Sequence, residues 1–328
     1  MNVCGICHAP GRIKDARLGF QTIIRYSPSM LRGMFHQRAT MSETRSGGAW
    51  LRALFTAVFA LVSTACTTTE LLTPSPAVEL AKVNARYTSI VMDAGSGKVL
   101  MQQRADAKRF PASLTKMMTL YLMFEALDRG KLTMNTPIPV SARASAEPAS
   151  KLWLKPGTTL TVNEAIQALV VVSANDVAYA VAEKLGGSEA RFAQMMTRKA
   201  RSIGMGSTTF RNASGLPNKA QISTARDMAR LGMALKRNFP RYFGFFSRNS
   251  MKFRGKARRG HNRVLRQLKG ANGIKTGYTR ASGFNLVTSV NRGGKTIIGV
   301  VMGANSGRKR DAHMVELMET AMARSGIR

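Results

Sequence analysis

Residues 113–128 read Ser-Leu-Thr-Lys-Met-Met-Thr-Leu-Tyr-Leu-Met-Phe-Glu-Ala-Leu-Asp, and wound as a helix they place apolar side chains on every face. A helix that is apolar all round has no side to give to water and must lie at the centre of a fold. The rest of the chain therefore has to wrap it, and the elements on either side must supply the cover.

Alternating residues over 87–94 and 99–103 predict two strands joined by the turn Gly95-Ser96-Gly97-Lys98. After the central helix, Thr161-Val162-Asn163-Glu164 forms a capping box that opens a helix to about residue 172. A second helix is expected over residues 176–185, closed by Gly186-Gly187, and further helices over 188–203 and 224–238. Strands return over 273–279, 283–291 and 295–304, with a turn at Arg292-Gly293-Gly294 and a last helix over 308–323. Two strands, a helical block and three strands predict an α+β fold: an antiparallel five-stranded sheet packed with helices, with a helical subdomain inserted.

The first 82 residues read as an export leader and linker. An apolar run over 53–62 follows Arg45 and Arg52 and ends in the small residues Ser63-Thr64-Ala65-Cys66, a secretory pattern too short for a convincing transmembrane helix. Met41 gives this leader an ordinary start, so residues 1–40 are read as an N-terminal extension from a mis-assigned start, and 41–66 as a signal peptide or membrane anchor. Two outcomes fit the end of the leader: lipidation of Cys66 or cleavage after Ala65. Residues 67–82, with Pro74 and Pro76, read as a linker, and 83–328 as one domain. Cys4-Gly-Ile-Cys7-His8 matches a haem-attachment pattern but lies upstream of the expected cleavage, so no haem is expected. After processing at most one cysteine and the histidines His261 and His313 remain, too few for a disulfide or a zinc centre.

A formal net charge of +33 limits the partners. Past residue 66 the chain still carries 42 Lys/Arg against 15 Asp/Glu, so the basicity belongs to the body of the protein. Such a field favours nucleic acid, an acidic membrane surface or a polyanionic wall polymer. An RNA-binding aromatic pattern, zinc-finger spacing and a basic zipper are all missing from the sequence, which argues against nucleic acid. Residues 248–269 hold nine Lys/Arg and predict an exposed hairpin, either a solvated face or a dock for anionic wall or lipid groups.

Three short strings carry chemistry. In Ser113-Leu114-Thr115-Lys116 the hydroxyl and amine stand three apart, as neighbours on the first turn of the buried helix. Burial disfavours the ammonium and pushes Lys116 toward an amine able to take the Ser113 proton, while free N–H groups of the helix start favour negative charge near Ser113. Ser173-Ala174-Asn175 falls in the bend between two helices, where Ser173 can relay a proton and Asn175 can hold an amide. Either residue could equally cap the next helix. Lys275-Thr276-Gly277 stands on a strand beside Gly273 and offers a charge and a hydroxyl to an anion, with the Tyr278 N–H and the Ser113 N–H as an oxyanion pocket.

In this order the strings resemble the penicillin-binding protein and serine β-lactamase superfamily. Within it, Pro111-Ala112-Ser113-Leu114-Thr115-Lys116-Met117-Met118-Thr119 and Gly273-Ile274-Lys275-Thr276-Gly277-Tyr278-Thr279 resemble the low-molecular-mass D-alanyl-D-alanine carboxypeptidases, and Asn212-Ala213-Ser214-Gly215-Leu216-Pro217 is similar to a loop of that family. The resemblance implies a β-lactamase/transpeptidase-like fold and a periplasmic enzyme without cofactor or metal. It also implies that Ser113 attacks the penultimate D-alanine carbonyl of peptidoglycan stem peptides, with β-lactams as covalent inhibitors. Lys275 and Thr276 would grip the terminal carboxylate, helped by Arg280.

Alternatives differ in chemistry. Many such carboxypeptidases carry a second β domain and a C-terminal amphipathic helix, whereas this sequence ends at Arg328, which keeps a D,D-endopeptidase cutting crosslinks open. A wall-binding or sensing protein that is acylated by penicillin without turnover is the rival outside enzymes. A class A β-lactamase needs a glutamate beyond the second string. The acids between Asn175 and Lys275 are Asp176, Glu183, Glu189 and Asp227, and both glutamates belong to helix patterns near that string. A Ser-His-Asp hydrolase lacks a Gly-x-Ser-x-Gly elbow.

Overall fold

The computed structural model describes residues 85–327. The expected leader and linker, with Cys66 and the haem-like string, lie outside the described residues. Strands β1 (Thr88–Asp93) and β2 (Val99–Gln103) form an antiparallel pair. A 3-10 turn over Ala112–Thr115 leads into α1 (Lys116–Asp128). Next come β3 (Pro137–Pro139), α2 (Ala142–Ser145), β4 (Thr159–Thr161), α3 (Val162–Gln167), α4 (Asn175–Gly186), α5 (Glu189–Ser202) and α6 (Ala225–Asn238). After α7 (Pro240–Phe243), the hairpin of β5 (Ser250–Phe253) and β6 (Lys256–Arg259) and the short α8 (Val264–Gln267) lead to β7 (Ala271–Thr279). β8 (Gly283–Arg292), β9 (Lys295–Ala304) and α9 (Gly307–Arg324) complete the described chain.

The fold is α+β. The large sheet has the order β2-β1-β9-β8-β7, antiparallel throughout, with β7 at one edge. Side chains alternate across a strand. On β9, Ile298, Val300 and Met302 join the larger core with α1, while Ile297 and Val301 join a second core under α9. Two glycines allow the layers to close. A Cβ on Gly232 of α6 would stand 3.1 Å from Ile298 and 3.2 Å from Ile274, and one on Gly299 of β9 would stand 2.4 Å from the Met318 sulfur of α9. Both faces of the sheet are thus covered by helix.

Helix α1 is buried around its circumference, with Met117, Met118, Leu120, Met123 and Phe124 wholly inaccessible. Phe124 stacks on Tyr242 at 5.1 Å and meets Phe246 edge-on at 6.1 Å, so the centre of the fold is an aromatic contact made from α1, α7 and the turn after it.

Local departures from regular helix fall near the first two strings. The helix predicted over 113–128 begins as a 3-10 turn, and Ala112 within it has φ +49°. The capping box at Thr161 and Glu164 is present, but the helix it opens widens into a π turn over Ala168–Val172 and stops at Ser173, which has φ +62°. Such widened turns often re-aim the residues that follow them. The antiparallel pairing of β3 with β4 has no counterpart in the sequence pattern, because Pro137 and Pro139 remove amide donors and mask the strand around Ile138. The basic hairpin predicted within 248–269 forms as β5 and β6, turned by Arg254 at φ +46° and Gly255 at φ +80°. Among the described residues no helix is long and apolar enough to cross a membrane. No group of three His, Cys, Asp or Glu among them could hold a metal ion.

Candidate active site

The three strings converge on one cleft of about 730 Å³. Ser113, Ser173, Asn175, Thr276, Gly277 and Tyr278 line it, and Lys116 and Lys275 stand behind them, 0% and 2% exposed. Gly277 makes this closeness possible. A Cβ there would lie 3.1 Å from Ser113 N, Leu114 N and Pro111 O, so the glycine lets edge strand β7 press against the turn that carries Ser113.

Lys116 Nζ sits 3.3 Å from Ser113 Oγ, 2.7 Å from Asn175 Oδ1 and 2.5 Å from the Ser214 carbonyl oxygen. Burial, and then the positive charge of Lys275, hold its pKa well below the ordinary lysine value, against the opposing pull of Asp176 and Glu147. Lys275 donates to the Thr276 carbonyl oxygen at 2.9 Å, and burial with the nearby Arg310 charge brings its pKa down from 10.5 to about 7. Asn175 Nδ2 donates to Pro148 O at 2.9 Å, which fixes the amide so that its oxygen faces Lys116. Ser173 Oγ is buried with no protein partner.

Tyr278 pairs with Phe284 on β8 and stacks on its ring at 4.2 Å, leaving the tyrosine half exposed. Thr279 N donates toward the β8 side, to Ser282 Oγ at 2.9 Å. Amides alternate in direction along a strand, so the Tyr278 N–H faces away from β8, on the open edge toward the cleft.

Arg280 is not among the residues that line the cleft. It is exposed, and its carbonyl oxygen accepts from Arg86. The arginines that do line the cleft are Arg263, just before α8, and Arg308 and Arg310, from the first turn of α9. Arg310 is buried and donates twice to Asp311 Oδ1, at 2.9 and 2.6 Å.

Several supporting residues carry no motif of their own. Gly215 has φ +88° and lies so close to the nucleophile turn that a Cβ would come within 1.9 Å of Ala112 O. Thr119 donates to Ala213 O at 2.7 Å and Asn212 Oδ1 accepts from Gly215 N at 2.8 Å, so the loop that offers the Ser214 carbonyl is tied on both sides. From β8, Asn285 Nδ2 donates to Phe110 O and Pro111 O, both at 3.1 Å, and its Oδ1 accepts from Gly303 N. Fully buried Asp176, next to Asn175, accepts from the backbone N–H groups of Leu152 and Leu154.

A sequence model of the peptidase S11 family, described as D-alanyl-D-alanine carboxypeptidase, matches residues 74–306. D-alanyl-D-alanine carboxypeptidase DacC of Escherichia coli is 38% identical over 240 residues, covering 71% of this chain and 60% of that protein. DacF of Bacillus subtilis is 31% identical over 240 residues, covering 72% and 62%. The chain thus spans about 60% of the length of these curated relatives. Among solved structures, penicillin binding protein 5 from Haemophilus influenzae superposes with a TM-score of 0.69 at 31% identity, over 72% of this chain and 70% of that one. Penicillin-binding protein D2 from Listeria monocytogenes, in its ampicillin-bound form, gives 0.66 at 30% identity over 72% and 96%. Matched by that family model over most of its length, with the fold of these neighbours and the three strings gathered in one cleft, the chain belongs to the D-alanyl-D-alanine carboxypeptidase family.

Proposed function

We propose that this chain is a serine D,D-carboxypeptidase that removes the terminal D-alanine of peptidoglycan stem peptides through an ester on Ser113. The observation that carries the reading is the pair of acceptors around Lys116. A neutral amine has two N–H groups and one lone pair. With both N–H groups committed to Asn175 Oδ1 and Ser214 O, the lone pair is left for the Ser113 hydroxyl 3.3 Å away.

Attack then forms a bond from Ser113 Oγ to the penultimate carbonyl carbon as the hydroxyl proton passes to Lys116. The carbonyl oxygen takes the displaced electron pair and is met by the N–H groups of Ser113 and Tyr278. When the C–N bond breaks, the leaving amine needs a proton, and Ser173, whose buried hydroxyl has no protein partner, suits a relay from Lys116. Water cleaves the ester by the same route in reverse. Thr276 offers its hydroxyl to the terminal carboxylate, with the charges of Lys275 and Arg310 behind it. A β-lactam would acylate Ser113 in the same way, leaving its opened ring on the oxygen.

The protein is read as exported to the periplasm, with its N-terminal leader as a tether. The outer face of the β5 and β6 hairpin, with exposed Lys252, Arg254 and Arg259, suits an anionic wall or lipid surface. Incubating the protein with a stem pentapeptide and with a crosslinked dimer tests the assignment. D-alanine released from the pentapeptide, and lost in Ser113→Ala, supports it. Cleavage of the dimer alone makes the chain an endopeptidase, and a penicillin adduct with neither product makes it an acylated binding protein.

A further inference from the structure

Trp153 is 68% exposed, more than the other exposed large hydrophobics among the described residues, Phe110 and Tyr278. Its backbone has φ +64°, a conformation that bulky side chains rarely adopt. Neighbours hold it there. Leu152 and Leu154 on either side are buried, and their N–H groups donate to Asp176 at 3.0 and 3.2 Å. The peptide before and after Trp153 is therefore fastened to helix α4, one residue from Asn175.

The ring is held as well. Lys151 Nζ lies 4.7 Å from the ring centroid and donates to Ser145 O and Glu147 O, both at 2.7 Å. One face of the indole is thus backed by a tethered cation, and its exposure is to solvent. Folding for stability alone favours burying an indole, yet this backbone turns it outward between two buried leucines. The result is a rigid aromatic plane.

Ser150, three residues earlier, lines the cleft, and its carbonyl oxygen accepts from Asn175 N at 2.7 Å. Three residues reach at most about 10 Å, so Trp153 stands within that distance of the cleft wall. If the proposed peptidase reading holds, the substrate carbonyl lies at Ser113 and the four residues before it extend about 13 Å to the amino sugar that bears the stem. We infer that Trp153 is a stacking platform for that sugar ring, a glycan subsite beside the peptide cleft. A membrane-inserting face would need several exposed apolar side chains, whereas Tyr278 lines the cleft and Phe110 lines the cavity beside it. A lone, immobilised indole suits the apolar face of a pyranose instead.

The inference rests on the peptidase reading for its ligand, but its test does not depend on turnover. The Ser113→Ala protein is titrated by calorimetry with free pentapeptide and with disaccharide pentapeptide. The glycan-bearing ligand is expected to bind about 10-fold tighter, about 1.4 kcal/mol. Trp153→Ala should abolish that preference, Trp153→Phe should keep most of it, and neither should change affinity for the free pentapeptide. An unchanged preference in Trp153→Ala overturns the inference, as does an equal loss for both ligands, which would make Trp153 structural. Binding to anionic phospholipid vesicles that depends on Trp153, with the glycan preference intact, overturns it in favour of a membrane contact. Failure of the peptidase reading is separate: the Ser113-containing protein would release no D-alanine from either ligand.

Discussion

Asn175 Oδ1 lies 2.7 Å from Lys116 Nζ, and the other half of the same amide donates to Pro148 O at 2.9 Å. An acceptor without charge is the important part. It engages one amine N–H and does not favour the ammonium as a carboxylate would.

Asn175→Asp tests that point with almost no change in volume. The carboxylate raises the proton affinity of Lys116 and also faces the Pro148 carbonyl without a donor. Acylation by a fluorescent penicillin at pH 7 should fall about 10²- to 10⁴-fold, the range for losing a general base. The acid limb of its pH profile should move upward, because Lys116 loses its proton only at higher pH. A slower reaction with an unmoved limb would mean that Asn175 only positions substrate.

How far the site could be read from sequence depends on where its atoms come from. Ser113 with Lys116, and Ser173 with Asn175, are close in sequence and sit on elements whose periodicity is plain. Their side chains carry the chemistry, so spacing alone brings them together. The Ser214 carbonyl and the tight approach of Gly215 are backbone features, invisible to residue type except through the glycine. Asn285 reaches Phe110 and Pro111 across 175 and 174 residues, a contact created only when β8 pairs into the sheet. Arg280 follows the third string in sequence yet is absent from the cleft lining, while Arg308 and Arg310 reach the cleft because α9 starts straight after β9.

Penicillin should be released slowly. The single carboxylate among the described residues lining the cleft is Asp311, which accepts two hydrogen bonds from Arg310 and is poorly suited to activate a water. With nitrocefin the expected trace is one equivalent of colour per protein followed by a shallow slope. Sustained turnover of many equivalents would show that another group acts as the base.

Gly215→Ala should damage both stability and acylation. The new methyl would lie 1.9 Å from Ala112 O on a backbone at φ +88°, so either the loop or the Ser113 turn must move. A loss of about 3 kcal/mol or more is expected from clash and strain together. Gly157→Ala is the control: φ is +77° but nothing lies within 4 Å of the added methyl, and the loss should stay near 1 kcal/mol. Urea midpoints of the two variants measure the difference, and equal losses would mean that the approach of Gly215 to Ala112 is not restrictive.

Lys275 should set the alkaline side of the activity profile. Its pKa is brought down to about 7 by burial and by the neighbouring Arg310 charge, and attraction of a substrate carboxylate requires the ammonium. Because kcat/KM reports the free enzyme, it should fall about tenfold per pH unit above about 7. Lys275→Arg, whose guanidinium keeps its charge, should carry the descending limb out of the measurable range. Stability should run the opposite way. Between about 7 and 10.5 the unfolded chain holds a proton on Lys275 that the folded chain does not, so its contribution to stability rises with pH across that window and is flat below it. Lys275→Met removes this slope, about 1.4 kcal/mol per pH unit for one proton. Denaturation of the parent and Lys275→Met at pH 7, 8 and 9 measures the slope as a difference, and parallel curves would mean that Lys275 stays charged in the folded protein.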